Sequence, residues 1–110
     1  MIQGTIAKIE DRIQEVGTLD DRNRKELLSL ISDLKSEVTA LSATQREQAE
    51  SIAGFTAVST HEATRGEKDP QLLKLGVKGL SSSVKGFEVS HPRLVQTVNA
   101  ICAKLSDLGI

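Results

Sequence analysis

The chain has 110 residues, of which 26% are charged and 2% aromatic, with a net charge of −1, no Trp, no Tyr and one Cys. That length suits one domain able to bury roughly two-thirds of the surface its unfolded chain exposes, around an aliphatic core. The charge argues against a general attraction to nucleic acid or membrane, one cysteine allows no internal disulfide and points to a reducing cytoplasm, and no apolar run approaches the roughly 18 residues of a membrane span.

Four runs of apolar residues, spaced alternately three and four apart, predict four helices with one buried stripe each. In the first, about residues 2–16, the stripe is Ile2, Ile6, Ile9, Ile13 and Val16. Glu10, Asp11 and Arg12 interrupt it, so it does not read as a signal peptide. Gly17 falls where a left-handed C′ residue would end it. Thr18 or Asp20 can then cap a long second helix, about residues 20–65, on the stripe Leu27, Ile31, Leu34, Val38 and Leu41. If unbroken it would span roughly 69 Å. Its heptad continues through Gln45, Gln48, Ile52 and Phe55, so the seam turns polar for two layers, which fixes register or partner number in a coiled coil. Gly54 reads as its soft point.

Gly66 ends that helix, and Asp69-Pro70 opens the third, about residues 70–89, on Leu73, Val77, Leu80, Val84 and Phe87. His91-Pro92 interrupts it, because the residue before proline is driven out of helical geometry. The fourth helix, about residues 92–108, buries Leu94, Val98, Ile101, Leu105 and Leu108. Gly109 at C′ and Ile110 at C″ predict a Schellman ending with Ile110 packed on Leu105. The fold class expected is all-α: an antiparallel helical bundle or coiled-coil-like hairpin with one long central helix and four helices in total.

The segment Gly86-Phe87-Glu88-Val89-Ser90-His91-Pro92-Arg93-Leu94, the ending Leu105-Ser106-Asp107-Leu108-Gly109-Ile110 and the stretch His61-Glu62-Ala63-Thr64-Arg65 resemble a family of short bacterial proteins catalogued as domain of unknown function 4404. The resemblance implies a small helical bacterial protein and supplies no activity, ligand or site residue.

Reactive side chains are few. His61, Glu62 and His91 are the candidates for a metal or ligand site, but a zinc helix needs a second His at i+4, and position 65 is Arg. Cys102 neighbours Ile101 on the buried side of its helix and reads as core. Lys74, Lys78 and Lys85 share one helix face, a weak phosphate-tracking stripe without interleaved aromatics. Residues 1–69 carry 9 basic and 13 acidic side chains and residues 70–110 carry 5 and 2, so balances of −4 and +3 guide the chain to fold on itself. Small residues say more. Ala49, Ala53 and Ala57 form one smooth strip and Gly76, Gly79, Ser83 and Gly86 another. Each interior Gly costs a helix about 0.8–1.0 kcal/mol against Ala, so close backbone approach is expected in return.

These features predict a non-enzymatic helical interaction or scaffold protein without cofactor. Two chains would pair as a homodimer through Ala49, Ala53, Ala57, Gly76, Gly79, Ser83 and Gly86, or dock another protein's helix. A fourth helix that instead folds back beside the third would give a compact bundle and weaken the case for a dimer. Metal or ligand binding by His61, Glu62 and His91 is the alternative, followed by nucleic-acid association through Lys74, Lys78 and Lys85.

Overall fold

Aliphatic side chains on one helix face leave water only if a second helix covers them, and each expected stripe is covered here. The computed structural model describes residues 2–109 and arranges them as α1 (Ile2–Glu15), α2 (Asp21–Ser42), α3 (Arg46–Thr64), α4 (Pro70–Ser83) and α5 (Pro92–Gly109). The stripes supply the core: Ile6, Ile9 and Ile13 from α1, Leu27, Ile31, Leu34, Val38 and Leu41 from α2, Leu73 and Leu80 from α4, and Leu94, Val98, Ile101 and Leu105 from α5. Fully burying such a side chain contributes about 1.5–3 kcal/mol.

The fold is all-α, but it has five helices and no long central one. The longest dimension of the molecule is 37 Å, too short for a helix over residues 20–65. That stretch breaks at residues 43–45 without Gly or Pro. The N–H groups of Ala43 and Thr44 bond back three residues, to Ala40 and Leu41, and the Ser42 hydroxyl donates to the Thr39 carbonyl at 2.7 Å. The last turn thus tightens, and Gln45 leaves helical geometry at φ −137° and ψ 69°. Gln45 and Gln48 stay in solvent, where the heptad had placed them in a seam. The chain reverses and buries a different face: Ala49, Ile52, Ala53, Thr56, Ser59, Thr60 and Ala63. Gly54, the expected soft point, sits inside α3.

Contacts fix the directions. Thr64, at the end of α3, accepts from the Arg12 guanidinium at 3.0 Å on its hydroxyl and from the Thr18 hydroxyl at 2.7 Å on its carbonyl. The last turns of α1 and α3 therefore meet, and those helices run parallel. Gly76 and Gly79 of α4 lie against Ser59 and Phe55 of α3, in antiparallel order. Gly109 meets Leu73, and the Cys102 thiol points at the Val77 carbonyl, so α5 folds back along α4. Lys104 reaches from α5 to the Asn23 amide oxygen at 2.6 Å and to the Glu26 carboxylate on α2. Lys104 and Arg22 hold the Glu26 carboxyl below its usual pKa. Helix direction alternates through all five elements, and α3 touches each of the other four.

The expected starts are present. Asp20 accepts from the Asn23 N–H, and Asp69 from those of Gln71 and Leu72 with Pro70 in the first turn. The helix ends differ from expectation. Among the described residues only Gly86 has positive φ, at 96°, so Gly17 is no left-handed cap. Arg24 takes that role, its guanidinium donating to the carbonyls of Gln14 and Val16 at 3.1 Å, Leu19 at 2.7 Å, and Ile13. A cation at a helix C-terminus also offsets the dipole. Helix α4 stops at Ser83 rather than near residue 89, with Val84 at its C-cap and Gly86 in the turn that follows, well before the His-Pro pair. His91 then opens α5 through its carbonyl, which accepts from the Val95 N–H. Gly109 is helical and buried, and a Cβ there would collide with Leu73. The contact expected of Ile110 lies outside the described residues.

Arg24→Ala should cost about 1.5–3 kcal/mol, the range for hydrogen bonds to charged groups. Arg24→Lys should restore little of it, since an ammonium lacks the fork that spans four carbonyls. Urea unfolding midpoints measure both; an Arg24→Ala midpoint equal to wild type would mean that water satisfies these carbonyls equally well.

Candidate functional site

Helix α4 organises the surface features. Its Leu73, Gly76 and Leu80 turn inward. Leu72 and Leu75 lie off that stripe, on the solvent side of the crossing with α3. The Ser59–Gly76 and Phe55–Gly79 contacts set the register of the antiparallel pair. Val58 thereby comes level with Leu75, and Glu62 with Leu72. Phe55, Val58, Leu72 and Leu75 are 41%, 51%, 42% and 65% exposed, so four large apolar side chains run along one outer seam. Glu62 is buried at its end, bonded to Arg65 at 2.8 Å. Sequence reading missed the seam because Phe55 was assigned to a continued heptad. A signal was present: α4 carries more large aliphatics than one stripe can use.

The seven small residues expected on a self-association surface mostly serve the chain itself. Ala49, Ala53 and Gly76 are buried and Ala57 is half-buried. A Cβ on Gly76 would come within 2.9 Å of the Ser59 Oγ and 3.3 Å of its Cα, and one on Gly79 would meet the Phe55 ring. Close approach is what these glycines provide, but within one chain. Ser83 donates to the Leu80 carbonyl at 2.6 Å, and Gly86 is an exposed turn residue. The Oγ of Ser59 and Oγ1 of Thr60 are buried without a hydrogen-bond partner among the described residues.

The expected metal candidates do not converge. His61 is in the last turns of α3, 3.9 Å from the Glu62 carboxylate. His91 lies beyond the far end of α4, edge-on to Phe87 with ring centroids 5.5 Å apart. Among the described residues no three His, Cys, Asp or Glu side chains are grouped to hold a metal ion, and no helix is long and apolar enough to cross a membrane. Cys102 is half-buried, and burial raises its thiol pKa, which lowers the thiolate fraction a nucleophile needs. Lys74, Lys78 and Lys85 line a groove between α4 and α5. No family model, curated protein or solved structure matches the chain.

Gly76→Ala should destabilise the protein although Ala is the better helix former, because overpacking costs about 1–3 kcal/mol against a propensity gain of about 0.8–1.0 kcal/mol. Gly54→Ala, with nothing within 4 Å of its Cβ, should instead stabilise. Thermal or urea denaturation of the pair tests this, and equal shifts of one sign would argue against a tight α3–α4 crossing.

Proposed function

We propose that this protein is a non-enzymatic helical interaction module that self-associates through the outer seam of α3 and α4. The observation that carries the reading is the row Phe55, Val58, Leu72 and Leu75, exposed together on adjoining helices. Contiguous apolar surface on a folded chain marks an interaction site far more often than scattered single residues do. Two such seams related by a two-fold axis would bury each other and make a four-helix layer, the isologous arrangement of most homodimers. The seam so replaces the small-residue strips, which are occupied within the chain. A reducing, cytoplasmic setting fits the lone half-buried thiol. The resemblance to the bacterial family adds no activity that competes with this reading.

Light scattering on a size-exclusion column, across a dilution series, should give twice the chain mass. Val58→Lys should raise the dimer dissociation constant at least about tenfold, a loss of 1.4 kcal/mol, with an unchanged far-ultraviolet spectrum. A wild-type chain that is monomeric at every concentration, or a Val58→Lys dimer as tight as wild type, removes the seam as a self-association surface.

A further inference from the structure

Beside the seam, α4 and α5 leave an open groove of about 410 Å³, and Leu75 of the seam adjoins Lys74 and Lys78, which line it. Leu73 and Val77 give it an apolar side, three serines line it as well, and Lys74, Lys78 and Lys85 stand along it. We infer that this groove docks an acidic amphipathic helix of a partner protein, its apolar edge on Leu73 and Val77 and its carboxylates on the three lysines.

Charge and spacing select this occupant. Lys74 and Lys78 stand one helical turn apart on α4, and Lys85 follows in the turn after Ser83 and lines the same groove. A ligand with one anionic head would reach at most the neighbouring pair Lys74 and Lys78. A helix bearing carboxylates along one edge would meet Lys74 and Lys78 and extend towards Lys85 while laying its own apolar stripe on the groove, the helix-in-groove mode of recognition. Within the chain the lysines are uncompensated: none has an ion pair or hydrogen bond among the described residues, and residues 70–87 contain no Asp or Glu. Like charges at i, i+4 oppose helix formation, so Lys74 and Lys78 cost α4 stability without an offsetting ion pair among the described residues. A nucleic-acid backbone would also answer the charge. It would, however, present bases to a groove with no aromatic side chain to stack on.

The inference does not rest on self-association, because the groove is built from α4 and α5 of one chain, although Leu75 of the seam adjoins Lys74 and Lys78. The test uses the full chain, both wild type and Val58→Lys, and a fluorescent synthetic helical peptide with Glu at i, i+4 and i+11 beside a Leu stripe. A matched peptide with Gln in place of Glu and a single-stranded oligonucleotide are the comparison probes. Anisotropy should show saturable binding of the Glu peptide to both proteins, weakened by added salt. Binding should fall at least about tenfold for the Gln peptide and for a folded Lys74→Ala/Lys78→Ala variant, as expected for a loss of 1.4 kcal/mol or more. Equal binding of the two peptides, no binding of either, or oligonucleotide binding in place of peptide binding overturns the inference. Peptide binding to wild type but not to Val58→Lys would place the site on the seam and overturn it as well.

Discussion

The small side chains of α3 are the constraint on which the bundle depends. A helix surrounded by four others must let all of them approach, and α3 does so with Ala49, Ala53, Thr56, Ser59, Thr60, Ala63 and Thr64 buried and Ile52 as its one large core aliphatic. The neighbours bring the volume, chiefly Ile and Leu. Gly76 completes the fit from α4, where even a methyl would press on the Ser59 backbone. The same choice carries a cost, since threonine and serine bring hydroxyls into the interior. Thr56 and Thr64 return theirs to the carbonyls four residues back, at 2.8 and 2.7 Å. Those of Ser59 and Thr60 lack a partner among the described residues, and a buried unsatisfied polar group costs about 1–3 kcal/mol. Access for four helices is obtained against that loss.

This arrangement explains what the sequence disclosed. Helices α1, α2, α4 and α5 each bury one face, so a 3.6-residue apolar period marked them, and Asp20 and Asp69-Pro70 marked two starts through chemistry that acts within a single turn. Helix α3 is covered on many sides by small residues, so it has no single stripe, and a heptad carried through Ile52 and Phe55 extended α2 across a break that no Gly or Pro announces. The break depends on what is gained by folding back, a tertiary quantity. Helix ends were misread for a related reason. Arg24 reaches carbonyls five to eleven residues away, so Gly17 had no conformational task.

The candidate surfaces were legible in part. Helical spacing places Lys74 and Lys78 together, whereas Lys85, expected on the same helix face, lies in the turn after α4 and joins them only through the groove. The groove itself was not legible, since it requires α5 to fold back along α4, a direction that His91-Pro92 leaves open. The small-residue strips were recognised as surfaces of close approach, but their partner was the same chain. The exposed seam needed the register set by Phe55 on Gly79 before its four residues could be seen as one row. Acidic and basic halves do meet, through Lys104 on α5 and Glu26 on α2.

Alternating helix direction also bears on how the chain reaches this state. Each helix packs on the one before it in sequence, across links no longer than residues 84–91, so much of the structure forms with little loop-closure entropy. Chains dominated by such local contacts fold in microseconds to milliseconds. The exceptions are α1, whose Arg12 meets Thr64 across 52 positions, and α5, which must find α2 across most of the chain, with Lys104 and Glu26 separated by 78 positions. Docking of α5 closes the topology, and a nascent chain lacking it would leave Leu27, Ile31 and Leu34 without part of their cover.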